Sequence, residues 1–181
     1  MTTPMAGTPS PVDKHALTHK ANLFTRSPTG GRILSALMLP GFTLHPPGAF
    51  GVLTTTGRNT GKARRRCVHA VRHGNRAYIV MIRPTLAARA SAWVAAWVWN
   101  IRANPNVRLR IRGGTFTGRA RELTDDEELR AARAIYCNTV NPSDYFEYAF
   151  HRGGRPTRAK IEALHHGWFD TGIPLVVEWQ D

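Results

Sequence analysis

The chain has 181 residues, 42% of them hydrophobic and 20% charged, which suffices for one folded core and is ordinary for it. Lys and Arg number 25 against 12 Asp and Glu, a formal charge of +13, so the partners to expect are anionic: a polynucleotide, a membrane surface or a phosphorylated small molecule. No apolar run reaches the roughly 18–20 residues of a membrane span, no secretory signal is evident, and Cys67 and Cys137 match no metal spacing, so a reduced, cytoplasmic protein is expected.

Residues 1–12 are rich in Thr, Pro, Gly and Ser and predict a disordered tail, leaving 13–181 as a single domain. From Asp13 to Leu39 the pattern predicts one or two short helices, interrupted by SPTGG at 27–31 and ended by LPG at 39–41. HPPG at 45–48 reads as a loop. Strands are predicted from Phe50 to Thr56 and from Arg65 to Arg72, with a turn at HGN (73–75) and a third, buried strand in AYIVMI at 77–82. Over 86–104 the period changes. Leu86, Ala90, Trp93, Trp97 and Ile101 share one face and predict an amphipathic helix that stops before Pro105. In NVRLRI, Val107, Leu109 and Ile111 alternate with Arg108, Arg110 and Arg112, which puts three arginines on the wet face of a fourth strand. Gly113-Gly114 reads as a hairpin turn and 115–123 as the returning strand. Thr124 and Glu127 fit a capping box for a helix to about Tyr136. A further helical piece holds Tyr145 and Tyr148, HRGGRPTR at 151–158 is a basic loop, a short helix follows, and IPLVVEW at 173–179 closes the fold as a strand. About six mostly antiparallel strands with one helix between the third and fourth predict a barrel or sandwich with helices outside.

The stretch TTTGRNTGKARRR at 54–66 concentrates the basic charge. It is not a Walker loop, because three residues rather than four separate its glycines and Ala63 follows Lys62. It is not a dinucleotide fingerprint either, because a strand follows. What remains is a strand–turn–strand whose glycines admit close backbone approach and whose threonines and arginines offer phosphate donors; a solvated basic hairpin is the alternative. Arg108, Arg110 and Arg112 have no aromatics interleaved with them, which argues against a nucleic-acid groove. Trp93 and Trp97 read as core. The eight histidines show no metal spacing: His165 and His166 are adjacent and diverge on a helix, and His69 stands alone in a strand, so no metal site is expected.

VLTTTGRNTGKARR at 52–65, WVWNIRANPNVRLRI at 97–111 and the closing IPLVVEW together resemble the deazaflavin (F420)-dependent nitroreductase family of actinobacteria. The likeness covers roughly residues 45–125 and the last strand. It implies a split β-barrel of the FMN-binding type, and a reductase passing a hydride from reduced coenzyme F420 to a quinone, nitro compound or activated alkene. It implies that Thr56, Gly57, Arg58, Asn59, Thr60, Gly61, Lys62 and Arg64 hold the phosphorylated tail of the cofactor, with Trp97 and Asn100 contributing from the second motif. Asn59 stands where relatives often carry lysine. IRPTLAARASAW replaces a glycine-rich loop that lies near the deazaflavin ring in relatives, and 149–171 reads as an insertion. Tyr145, Tyr148 and His69 are the candidate proton donors. The alternatives are an FMN-binding split-barrel oxidoreductase and a non-catalytic carrier of F420 or another anionic ligand. The expected partner is a small-molecule hydride acceptor and no specific nucleic acid; peripheral membrane association through ILSALML, and a homodimer, stay open.

Overall fold

Strands form where the sequence alternates or runs apolar: β1 Phe50–Thr56, β2 Ala63–His73, β3 Arg76–Met81, β4 Asn106–Ile111, β5 Gly114–Glu122 and β6 Ile173–Glu178. The structure, a computed structural model, describes residues 27–83, 93–152 and 154–180; the expected tail at 1–12, the helical region before Ser27, and Leu86 and Ala90 lie outside the described residues. All six strands pair antiparallel and close into a barrel in the order β1-β2-β3-β6-β5-β4, with β4 returning to β1. Among the described residues five helices accompany them: α1 Pro28–Leu44, α2 Ala96–Ala103, α3 Asp126–Asn138, α4 Pro142–Arg152 and α5 Arg158–Thr171.

The two kinds of strand pattern have two kinds of burial. In β4, Val107, Leu109 and Ile111 fill the barrel while Arg108 is exposed, so one face is wet and the sequence alternates. In β3 the run is unbroken because both faces are covered. Ala77, Ile79 and Met81 join the barrel core, and Tyr78 and Val80 pack beneath the helices. The outer core joins Val71, Tyr78, Val80 and Val176 to Tyr136 of α3, Tyr148 of α4, and Ile161, Leu164 and Trp168 of α5. Each aliphatic side chain so buried contributes about 1.5–3 kcal/mol, which is what holds α3, α4 and α5 on the β2–β3–β6 wall.

Several local expectations are refined or corrected. SPTGG opens a helix: Ser27 accepts a hydrogen bond from the Gly30 amide, and Pro28 sits in the first turn, where its missing N–H is not needed. Pro40 lies inside α1 without ending it; it cannot donate to the Ala36 carbonyl one turn earlier, and Ala36 is exposed, where solvent can reach it. The tryptophan helix starts at Ala96, because Ala95 is extended and its amide is held by the Met81 sulfur at 3.1 Å. The cap of α3 is Asp125, not Thr124, accepting from the Glu128 amide. The β4–β5 turn is Arg112-Gly113, since Gly114 already pairs with Ile111. Finally, the region read as an insertion carries the end of α4 and all of α5, a 14-residue helix rather than a short one.

Candidate active site

The barrel is split on one side. β2 pairs with β1 over residues 63–69 but with β3 only over 70–73, so β2 and β3 part company above His69. A cavity of about 790 Å³ opens in the gap, within the range of sites for cofactor-sized molecules. α1 contributes Leu34 and Met38 to it, and Trp93 and Trp97 form the wall beside α2. The start of α4 contributes Phe146 and Glu147, and β2 contributes Arg66 and His69.

The lining is largely apolar, which makes Arg66 conspicuous. Among the described residues it makes no ion pair. Burial pulls its guanidinium below the ordinary value, with the Cys67 thiol opposing the shift and Arg32 adding to it. A desolvated cation on an apolar wall is a standing attraction for a negative charge brought into the cavity. Reading the sequence left Arg66 without a role; strand alternation could not say that the gap between β2 and β3 lies where this side chain points.

The basic turn between β1 and β2 contributes no residue to the cavity lining. The Gly57 carbonyl accepts from the amides of Thr60 and Gly61, at 3.1 and 2.8 Å. Gly61 has φ of +65°, the left-handed region that glycine tolerates. Gly57 has no room for more: a Cβ there would lie 3.0 Å from the Thr60 hydroxyl and 3.1 Å from the Lys62 carbonyl. Arg58, Asn59, Thr60, Gly61, Lys62 and Arg64 are all exposed, and Thr56 is half-buried at the strand end. Arg64 leans on the Thr60 hydroxyl at 3.4 Å. No ion pair among the described residues neutralises Arg58, Lys62 or Arg64, so the turn presents its charge outward with amides and a hydroxyl among it. Arg65 is turned aside to the Thr43 hydroxyl of α1.

Asn100 ties this turn to the cavity. Its Oδ1 accepts from the Arg58 amide and its Nδ2 donates to the Thr55 hydroxyl, both at 3.1 Å, and the residue is buried. Trp97, three residues earlier on α2, lines the cavity. Three residues of helix span about 4.5 Å, so one short helix meets both the turn and the cavity wall. Trp99 leaves the buried face, as its place on the helix predicts, and stands between the guanidinium groups of Arg58 and Arg102, at 5.4 and 4.5 Å from their carbons. Of the ten residues expected to hold the cofactor, eight lie in or flank the turn, Trp97 lines the cavity, and Asn100 faces the turn's backbone and shapes it.

The three candidate proton donors separate. Tyr145 is 39% exposed and Tyr148 opens on a different, smaller cleft beside Arg152; neither lines the cavity. His69 does line it, though its Nε2 is turned to α4, 3.3 Å from Asp144 Oδ1 and 3.8 Å from Glu147 Oε2. Burial opposes charge on His69, but Glu147 and the hydrogen bond to Asp144 outweigh it and raise the imidazole's pKa. Burial works to raise the Asp144 carboxyl as well, yet the His69 contact prevails and lowers it. Glu147 is pushed up to about 7, by burial first and by Asp144 second. His165 of α5 packs its ring at a tilt against His69, ring centroids 4.9 Å apart, and burial drives its pKa down to about 3. No sequence spacing displays this cluster, since its members come from β2, α4 and α5.

Among solved structures, the chain is similar to an F420-H2 dependent reductase, FDR-A, with 19% identity over 72% of this chain and 94% of that one and a TM-score of 0.45. It is also similar to a domain-swapped dimer, with 20% identity, 83% and 94% coverage and a TM-score of 0.47. A FAD-binding protein from Mesorhizobium loti shares 13% identity over 81% of this chain and 89% of that one, with a TM-score of 0.44. The family model of the F420H(2)-dependent quinone reductases matches residues 41–156, a span that takes in strands β1 to β5, the basic turn, and helices α2, α3 and α4. With that match over well above half its length, the chain belongs to the F420H(2)-dependent quinone reductase family and is an F420-dependent oxidoreductase.

Proposed function

We propose that the split in the barrel is where reduced F420 and a quinone-type acceptor meet, with the cofactor's phosphorylated tail held at the basic turn. The observation that carries this reading is the double contact of α2, which lines the cavity with Trp97 and braces the turn with Asn100. The residues suit the group. An anionic tail needs unneutralised donors, and Arg58, Lys62, Arg64, Thr60 and the turn amides supply them. A flat ring needs apolar walls, and Trp93, Trp97 and Phe146 supply those. When bound, reduced F420 supplies the hydride. The protein's part is to orient and to stabilise charge. Hydride addition to a quinone leaves an oxyanion, and Arg66, one of two arginines on the lining with Arg83, is a cation placed to meet it. The proton that completes reduction comes from solvent at the open mouth of the cavity, since Tyr145 and Tyr148 lie elsewhere and Nε2 of His69 faces Asp144 and Glu147.

A fluorescence titration with F420 and with FMN, followed by steady-state turnover with menadione, tests this. F420 binding and turnover are expected. Arg64→Ala is expected to weaken F420 binding by one charge-assisted contact, about 1.5–3 kcal/mol. Preference for FMN would overturn the cofactor reading, and tight F420 binding without oxidation across several acceptors would favour the carrier.

A second proposal concerns α1. Ile33, Leu37 and Leu44 are 48%, 68% and 76% exposed and fall within one narrow stripe of the helix. No helix among the described residues is long and apolar enough to cross a membrane, so the stripe suits peripheral contact with a lipid surface. Flotation with anionic vesicles, lost in Leu37→Ser, tests it; a concentration-dependent mass without flotation would instead assign the stripe to a second copy of the chain.

A further inference from the structure

We propose that His69, Asp144, Glu147 and His165 form a closed, four-ligand site for a divalent transition-metal ion, with Zn²⁺ the ion it fits best. Each residue offers one ligand atom, and the four atoms all lie within 4.8 Å of one another. The 3.3 and 3.8 Å separations of His69 Nε2 from the two carboxylates approach the edge of a tetrahedron with bonds of about 2.0–2.1 Å, roughly 3.3 Å. The remaining separations, up to 4.8 Å, must close by side-chain rotation when an ion binds.

Two further observations point to an ion. His165 is completely buried, and neither of its ring nitrogens makes a hydrogen bond of normal geometry. Apart from a weak contact with the Cys137 carbonyl, an imidazole in that position forfeits its hydration unless a ligand occupies the space it faces. Charge also balances: two carboxylates and two neutral imidazoles carry −2, which one divalent cation cancels within the dry layer between β2 and the helices. Two imidazoles with two carboxylates form a nitrogen–oxygen set that suits zinc better than magnesium or calcium.

The surroundings behave as ligand supports do. The other oxygen of Asp144 accepts from the Asn141 amide at 2.6 Å, which fixes the carboxylate's orientation. The Cys137 carbonyl draws one N–H of His165, leaving the other nitrogen's lone pair for an ion. Tyr136 packs its ring on both histidines, at centroid distances of 5.1 and 5.7 Å. His69 and Glu147 also line the cavity, which gives an ion a way in. His165 lies beyond residues 41–156, the span matched by the family model, so the site is not complete within that span. An ion there would pin α4 and α5 to β2, the strand that leads into the basic turn.

The test uses tag-free, full-length protein and needs no cofactor. Metal content is measured as purified and after chelation and dialysis against Zn²⁺, and Co²⁺ is substituted for its visible d–d spectrum. The expected result is one Zn²⁺ per chain, a lower melting temperature after chelation, and an intense Co²⁺ spectrum of tetrahedral type. His165→Ala and Glu147→Gln are expected to weaken Zn²⁺ binding by at least the roughly tenfold to hundredfold typical of disturbing even an outer partner. The absence of both stoichiometric ion and Co²⁺ spectrum in the wild-type protein would overturn the proposal, whatever the variants do. An unchanged spectrum in both variants would overturn it too, by moving the ion to other histidines.

Discussion

Asn100→Ala removes the one side chain that bonds both the basic turn and the barrel wall. Two hydrogen bonds are lost, at about 1 kcal/mol each, and the Thr55 hydroxyl, only 3% exposed, is left without its partner. The stability loss is then about 2–3 kcal/mol, which for a chain of this size lowers the melting temperature by roughly 4–12 °C. The Arg58 amide is the link that bears on ligand binding. Once it is freed, one or two turn residues must be ordered anew when the tail binds, at about 1–2 kcal/mol each. F420 affinity should fall roughly tenfold to a hundredfold, since about 1.4 kcal/mol corresponds to a factor of ten. Thr55→Val provides the contrast: it removes the buried hydroxyl but leaves the Asn100–Arg58 bond, so it should lower stability and spare affinity. The assays are thermal unfolding by circular dichroism and F420 fluorescence titration at fixed salt. A destabilised Asn100→Ala that binds F420 within about twofold of wild type would refute the bracing role and reduce Asn100 to a core amide.

Arg66→Met removes a half-buried cation while keeping much of its volume. It should leave F420 binding and stability close to wild type but lower kcat/KM for a quinone about tenfold to a hundredfold, the value of one hydrogen bond to a charge; unchanged kcat/KM would sink the oxyanion role. Gly118→Ala should lower the melting temperature sharply, because its Cβ would lie 2.1 Å from the Glu178 carbonyl oxygen and force β5 from β6; overpacking of this kind costs about 1–3 kcal/mol, and an unshifted transition would contradict the strand pairing. Burial pushes the Cys137 thiol up to about 12 and raises Cys67 as well. A raised pKa keeps a thiol protonated at pH 8, so both should label slowly with a thiol reagent in the folded protein and fast in guanidinium; rapid labelling of the native protein would count against the burial.

The residues show why some of the molecule was legible and some was not. The strands of the barrel follow from a period of two or an unbroken apolar run, patterns a chain carries wherever it folds, and the two linked motifs carry the family resemblance that the family match bears out. Element boundaries were less secure. Ser27 could be read as the middle of a break or as a cap, and only the amide it meets, that of Gly30, decides between them. Pro40 looks like a stop until Ala36, one turn earlier, is seen to be exposed, where solvent can reach it.

The sequence by itself determined the barrel's strands, the basic turn and its kinship to F420-dependent reductases, because each is encoded in residues close along the chain. Tertiary structure decided what those pieces do for one another. Closure of the barrel, and the parting of β2 from β3, turned Arg66 from one arginine among many into a charge on a cavity wall. Packing of α2 across β1 placed Asn100 on Arg58, 42 residues away. Docking of α4 and α5 on β2 gathered His69, Asp144, Glu147 and His165, whose neighbours in sequence give no hint of the others. Such contacts depend on the shape of the whole core, and no local period records them.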